Sequence, residues 1–231
     1  TDELAAMRRL VRDAMRDGAV GMSTGLIYLP GTFSKTEELI ALSKEVAESN
    51  GIYVSHMRSE GKEIFKAVDE VCRIAQEAKL PAHISHLKLA GKPMWGKNKK
   101  LIARLDRART GGVRLTHDQY AYTASSTGIQ QMIPSEARRA GRKKFAELLS
   151  DPDKKKKLVD EMKGSLEKKE RDSYAYAVIA YHAYDKTLNG INIVEAAKKR
   201  YGKAKLDDQI ELILDIEKNG GASGVFHGMN E

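Results

Sequence analysis

The sequence predicts an α/β fold of about four strand-helix units, followed by a segment that is mostly helical. The runs Val54–His56 and Ile84–His86 each end an aliphatic stretch in Ser-His, 30 residues apart. This spacing is about the length of one strand-helix-strand unit. Amphipathic segments of helical period alternate with such runs as far as residue 118, and this alternation is typical of a parallel sheet covered by helices.

Each of these units rests on its own local pattern. Residues 2–17 have apolar side chains at helical spacing and stop at Gly18, and a strand is predicted over residues 19–23. Ser34 and Glu37 match the spacing of a capping box, which predicts a helix that runs to residue 50. The next elements are predicted as strand 52–56, helix 62–79, strand 82–86, helix 99–109 and strand 113–118.

The pattern changes after residue 127. Helical periods alone are predicted over 135–149, 152–169, 172–185, 191–201 and 206–218. The glycine-rich run 220–224, followed by Val225 and Phe226, is typical of the approach to another strand. We therefore divide the chain into residues 1–127 with the strand-helix units, a helical insertion at 128–219, and, at 220–231, the start of a further segment of the same strand-helix sheet, which the chain does not complete.

The composition excludes several classes of protein. Of 231 residues, 41% are hydrophobic and 31% are charged, which is enough for a sizeable core. The net charge of +8 is scattered apart from the run Lys154–Lys157, so we expect no nucleic-acid partner. No apolar stretch is long enough for a membrane span and no secretory signal is recognisable, which favours a cytoplasmic protein without a membrane partner.

Two of the six histidines are candidate metal ligands. The predicted strands, if parallel and consecutive, would bring His56 and His86 to their carboxyl ends, the edge where α/β folds place their chemistry. Neutral imidazole is a common zinc ligand, and zinc-bound water becomes a nucleophile near neutral pH. The matched pair therefore predicts a zinc site.

The other four histidines are weaker candidates for metal ligands. Because residues two apart in a strand share a face, His83 is expected on the face opposite His86, as a packed or partly exposed ring. His117 is in phase with the apolar residues of its strand and could line the interior, but it has no partner at matched spacing. His182 is expected to pack within a helix, and His227 has no predicted role.

The amino-acid sequence around the two candidate ligands closely resembles that of the D-aminoacylases, which are N-acyl-D-amino-acid deacylases of the amidohydrolase superfamily. The order and spacing of the shared motifs hold over roughly residues 15–127, are weaker in the helical stretch, and return from residue 220 to the end. The motifs are Gly21–Gly31, Ser55–Gly61, Ile84–Lys88, Trp95-Gly96 and Asp118–Ser125.

This resemblance implies a partial (β/α)8 TIM barrel of about four units, with zinc at the carboxyl-terminal mouth, that hydrolyses the amide of an N-acyl-D-amino acid. His56 and His86 fall on the two histidine ligands of the family, and Lys88 falls on a lysine that helps to bind the substrate carboxylate. Tyr28 matches a tyrosine that lines the pocket, and Tyr120 or Tyr122 matches another that faces the substrate.

The sequence also departs from the family pattern. It has no His-x-His pair, and its single cysteine, Cys72, lies in a helical stretch outside any matching motif. The chain ends at Glu231, before the position expected for the aspartate that acts as general base, so no catalytic residue is assigned. We therefore expect this stretch alone to bind zinc weakly and to lack deacylase activity, and we expect self-association through open sheet edges.

Two other interpretations remain open from the sequence. The chain could be a non-catalytic remnant that serves as a binding or interaction module. It could also be an amidohydrolase that acts on cyclic amides, although the Tyr28 loop and the tyrosines at 120 and 122 match that class poorly.

Overall fold

The computed structural model describes residues 1–230, which form two compact units. The first unit contains residues 1–90 and 94–121. The second unit contains residues 91–93 and the chain from Tyr122 onward. Among the described residues, no helix combines the length and apolar character needed to cross a membrane.

The first unit is a parallel four-stranded sheet in the order β1-β2-β3-β4, with helices between the strands. This confirms the predicted α/β arrangement of four units. The strands are β1 (Gly21–Gly25), β2 (Ile52–His56), β3 (Ala82–Ile84) and β4 (Leu115–His117). The helices are α1 (Asp2–Arg16), α2 (Thr36–Glu48), α3 (Ile64–Ala78) and α4 (Asn98–Thr110).

One face of this sheet is buried against the helices. Tyr53, Ala82 and Leu115 lie side by side in the parallel register and are at most 4% exposed. They pack with apolar residues of α2, α3 and α4 in a single core. Burial of apolar surface is the main force that stabilises such a layer. The opposite face carries the half-buried Ile52 and Val54 together with His56 and His83.

The second unit is built on an antiparallel sheet in the order β5-β7-β6. Its own apolar core includes Phe145, Met162 and Ile213, each at most 1% exposed. The strands are β5 (Ala124–Gly128), β6 (Ala177–Tyr181) and β7 (Ser223–His227). The helices are α5 (Ser135–Arg138), α6 (Gly141–Ser150), α7 (Pro152–Lys168), α8 (Ile193–Tyr201) and α9 (Leu206–Lys218).

Three sequence predictions for this region are corrected. The helix expected at 172–185 is replaced by β6, in which Ala177 pairs with Phe226 of β7, so pairing with a distant segment overrides the local pattern. The helix expected at 135–149 is two helices, divided before Gly141, whose φ is 83°. The segment from residue 220 does lead into a strand, but β7 pairs antiparallel with β5 and β6 and does not extend the parallel sheet.

A fourth correction concerns the start of α2. The predicted capping box does not form, because the N-cap residue is Lys35 and no side chain caps the helix. The Ser34 hydroxyl instead donates to the carbonyl oxygen of Gly31 at 2.7 Å. Ser34 thus stabilises the preceding turn, and Glu37 pairs with Arg73 of α3 at 2.9 Å.

Candidate metal centre

The structure brings His56 and His86 together at the carboxyl ends of two neighbouring parallel strands. His56 is the last residue of β2, and His86 lies two residues beyond β3. Their ring centroids are 4.2 Å apart, in an edge-to-face arrangement. The predicted proximity of the two histidines is therefore confirmed.

The route by which His86 reaches this position differs from the prediction. In the sheet register His83 lies beside Val54, on the same face as His56. Ala82 and Ile84 are fully buried on the other face, which the helices cover. Strict alternation would place His86 on the helix-covered face with Ile84. His86 has a left-handed backbone conformation instead, with φ of 42°, and this reversal turns its ring toward His56.

A carboxylate completes the group. Glu60 lies in the loop after β2. One carboxylate oxygen of Glu60 and one imidazole nitrogen each of His56 and His86 lie within 4.8 Å of one another. Within the described part of the chain, no other three His, Cys, Asp or Glu side chains form such a group. Two histidines and one carboxylate are a donor set used by zinc sites. The sequence analysis assigned Glu60 no role, although it lies in the Ser55–Gly61 motif.

Glu60 is also the centre of a charged network. Lys88 Nζ donates to Glu60 Oε1 at 2.5 Å, and the Lys88 side chain is only 7% exposed. His86 Nδ1 lies 2.8 Å from the same carboxylate oxygen and 2.8 Å from Lys88 Nζ. Depending on the tautomer of His86, Nδ1 donates a hydrogen bond to Glu60 or accepts one from Lys88.

The network determines the charge of its members. Burial alone would raise the pKa of the Glu60 carboxyl, but the hydrogen bond from His86 and the charge of Lys88 hold that pKa below its usual value. Burial lowers the pKa of Lys88, and the Glu60 carboxylate opposes this effect. Glu60 is therefore ionised at neutral pH, as a metal ligand or a partner of a cation must be.

His56 fits a metal on independent grounds. Its Nε2 atom is buried and has no hydrogen-bond partner among the described residues, which is unusual because buried polar atoms are nearly always paired. Burial lowers the pKa of His56 to about 4, so the ring is neutral at pH 7. A neutral imidazole with an unpaired nitrogen is the form that binds a metal ion.

Aromatic side chains surround the two histidines. The Tyr28 ring lies 4.7 Å from that of His56, and the Tyr120 ring lies 5.6 Å from that of His86. Lys88 Nζ lies 4.8 Å from the centre of the Tyr120 ring, within the range of a cation-π contact. Tyr122 belongs to the second unit, has a 78% exposed side chain, and is not among the residues that the first unit gathers here.

The remaining histidines have other surroundings. His83 contacts Thr116 Oγ1 and Asp118 Oδ2, at 2.8 and 3.1 Å. His117 is in phase with Leu115, as expected, but its register with Ile84 places it on the helix-covered face, where it lies 3.0 Å from a guanidinium nitrogen of Arg109.

Two histidines belong to the second unit. His182 is buried as expected, but it follows strand β6 and does not lie in a helix. His227 ends β7 with an exposed side chain.

Comparison with known proteins finds similar sequences over just over half of this chain and similar folds over all of it. The chain is 38% identical over 130 residues to the D-aminoacylase and 40% identical over 125 residues to the N-acyl-D-glutamate deacylase of Alcaligenes xylosoxydans xylosoxydans. These matches cover 56% and 54% of this chain, but only 27% and 26% of the relatives. The chain thus spans about a quarter of the length of these curated relatives. No family model matches the sequence.

Solved structures give the same result for the fold. A crystal structure of D-aminoacylase superposes with a TM-score of 0.70 and 29% identity. The N-acyl-D-glutamate deacylase of Bordetella bronchiseptica, in complex with zinc and a phosphonate inhibitor, superposes with a TM-score of 0.72 and 25% identity. Each match covers 100% of this chain and 39% of the solved chain. The resemblance to the D-aminoacylases is therefore confirmed, and this chain corresponds in sequence and fold to a portion of these amidohydrolases.

Proposed function

We propose that this chain forms part of a zinc-dependent deacylase that hydrolyses the amide bond of N-acyl-D-amino acids. In this proposal the parallel sheet of the first unit is part of a (β/α)8 barrel, and His56 and His86 hold the zinc ion, with Glu60 beside them. Bound zinc polarises a carbonyl group and lowers the pKa of a water molecule. The observation that carries the proposal is the buried, unpartnered Nε2 of His56 next to His86.

The chemistry of Lys88 supports the substrate class. Its ammonium group is held by Glu60 Oε1 and by the carbonyl oxygen of His86, at 2.5 and 2.6 Å. When Nδ1–H of His86 donates a hydrogen bond to Glu60, that nitrogen no longer accepts one from Lys88. One N–H of the ammonium is then left for an anionic group, such as the carboxylate of an acylated amino acid.

The tyrosines add an apolar lining to this anion site. Tyr28 lies against His56 and Tyr120 lies against both His86 and Lys88. Burial and the Glu60 charge raise the pKa of Tyr120, so its hydroxyl stays protonated at neutral pH and can donate a hydrogen bond. We propose that both rings flank the substrate. Tyr122 remains an alternative to Tyr120 on the sequence resemblance alone.

Zinc titration of the purified chain by calorimetry tests the metal site. We expect one zinc per chain, and we expect His56→Ala and His86→Ala each to weaken binding by at least about 10- to 100-fold. His227→Ala is the matched control, because this histidine is exposed at the end of β7. Equal zinc affinity in wild type and in both site variants would contradict the proposal.

The substrate class needs a separate measurement. Saturation-transfer NMR on the zinc-loaded chain should detect N-acetyl-D-glutamate more strongly than its L enantiomer. Lys88→Gln should remove this signal, since the neutral amide cannot replace an ammonium facing a carboxylate, whereas Lys92→Gln should leave it unchanged. Binding that is equal for the two enantiomers would contradict the deacylase assignment even if zinc binds.

A further inference from the structure

Asp118 follows β4 directly and contacts two histidines of the neighbouring strand segment. One of its carboxylate oxygens, Oδ1, accepts a hydrogen bond from the backbone N–H of His86. The other, Oδ2, lies 3.1 Å from Nε2 of His83. The His86 hydrogen bond and that from His83 hold the pKa of Asp118 below its usual value. The carboxylate thus binds the main chain of a candidate ligand, although it lies outside the metal-binding group.

The main chain of Asp118 strengthens this connection. Its N–H donates to the carbonyl oxygen of Ile84 at 3.2 Å, and its carbonyl oxygen accepts from the N–H of Leu87 at 2.8 Å. The backbone N–H groups of both His86 and Leu87 are therefore satisfied by one residue. These bonds span the point where the chain leaves β3 and turns.

The turn itself requires such support. His86 has φ of 42°, in the left-handed region that is unfavourable for residues other than glycine by roughly 1–2 kcal/mol. Non-glycine residues keep this conformation only where the surrounding contacts impose it. Without the reversal, strand alternation would direct the His86 ring to the helix-covered face, away from His56.

We propose that Asp118 is the positioning residue that holds His86 in its left-handed conformation and so directs the imidazole toward His56. This inference rests on the proposed metal site for its functional meaning. The role is geometric and not electrostatic, because the Asp118 side chain is 63% exposed and its charge is screened by solvent. A neutral amide at this position, which keeps an acceptor for the His86 N–H, should therefore serve nearly as well.

Three variants of the full chain test the proposal by zinc calorimetry. Asp118→Ala should weaken zinc binding by about 10- to 100-fold, the usual effect of losing a residue that orients a metal ligand. Asp118→Asn should restore affinity close to that of wild type. His83→Ala is the matched control, because it removes the other partner of the same carboxylate and leaves the His86 hydrogen bond in place.

NMR of histidine-labelled, zinc-free protein gives a readout that a general loss of stability would not produce. Wild type should show a contact between ring protons of His56 and His86, and a His86 amide proton that is shifted downfield and protected from exchange. Asp118→Ala should lose both signals while its other amide resonances stay dispersed, and Asp118→Asn should keep both. If Asp118→Ala does not fold, the wild-type His86 amide signal and the spectrum of Asp118→Asn decide whether Asp118 positions His86.

The outcomes separate this inference from the proposed function. If wild type shows the ring contact but binds no zinc, the metal proposal fails and the positioning role stands. If Asp118→Ala keeps the ring contact and wild-type zinc affinity, or if the wild-type His86 amide is neither shifted nor protected, the positioning role is overturned.

Discussion

The two units each enclose a histidine, and the two histidines differ in their partners. His182 of the second unit is 3% exposed, and its Nδ1 lies 3.1 Å from the carbonyl oxygen of Gly221. His56 of the first unit has a buried Nε2 without any hydrogen-bond partner among the described residues. Since a buried polar atom without a partner is costly, the hydrogen-bonded His182 stabilises its unit, whereas the unpaired Nε2 of His56 fits the metal-ligand role proposed for it. The partner, and not the burial, distinguishes a structural histidine from a candidate metal ligand.

The sheets show the same contrast. The antiparallel sheet of the second unit contributes Ala177, Ile179 and Phe226 to an apolar core. The parallel sheet of the first unit also has an apolar face, but its strand ends carry charged and aromatic groups that contact one another. Parallel strands all end at one edge, so side chains from separate segments converge there. The parallel sheet thus carries charged and aromatic groups together at its strand ends, whereas the antiparallel sheet contributes to an apolar core.

The largest expected effect is a pH dependence of stability that comes from the first unit. The pKa of His56 is lowered to about 4, mainly by burial, while an unfolded histidine titrates near 6.5. Between these values the unfolded chain binds a proton that the folded chain does not, so stability falls as the pH decreases from about 6.5 to 4. The resulting loss of stability is at most on the order of 3 kcal/mol, because the ring is only half-buried and solvent screens part of the effect.

Urea unfolding at several pH values, with a chelator present, measures this effect. His56→Phe should flatten the dependence between pH 6.5 and 4, and His182→Phe should leave the His56 contribution intact. An identical pH profile for wild type and His56→Phe would remove the proposed difference between the two histidines.

A second prediction compares the same two substitutions at constant pH. At pH 7 His182→Phe should destabilise the protein by about 1–3 kcal/mol, because the carbonyl of Gly221 loses its buried donor. His56→Phe should leave stability unchanged or raise it, because it removes an unpaired polar atom and keeps an aromatic ring of similar size. Chemical denaturation gives both values, and equal losses in the two variants would contradict the comparison.

The smallest expected effect concerns helix starts. In the second unit Asn192 forms a true capping box with Glu195 at the start of α8, with hydrogen bonds of 3.0 and 3.1 Å. Asn192→Ala should cost about 1 kcal/mol. In the first unit Ser34 caps no helix, so Ser34→Ala should cost less. Thermal unfolding compares the two, and a larger loss for Ser34→Ala would show that the turn before α2 contributes more than a cap.

The sequence predicted the first unit well because its evidence is local. The β2 boundaries, residues 52–56, are the predicted ones, and α3 differs from its predicted range by no more than two residues at either end. In each βα unit, one apolar strand and one amphipathic helix follow each other along the chain, so their periods are visible without knowledge of partners. The second unit was less predictable because β6 is defined by its pairing with β7, which lies far along the chain.

The candidate site was predicted in part. His56, His86, Lys88, Tyr28 and Tyr120 lie together as the resemblance implied, although their roles stay predictions. Glu60 and Asp118 were not assigned roles, since their contacts depend on loop conformations that periodicity does not describe. The left-handed turn at His86 was missed for the same reason. Self-association also remains a prediction.

The backbone of His86 has a consequence for how this protein can be altered. At φ of 42° glycine or asparagine would relieve a conformational cost that histidine carries. A library randomised at position 86 and selected only for resistance to unfolding should therefore enrich glycine and asparagine. Selection for zinc retention should return histidine. Under the proposed metal site, stabilising this turn and keeping the imidazole at position 86 are opposing goals. A redesign of the fold for stability would therefore need to hold this position fixed.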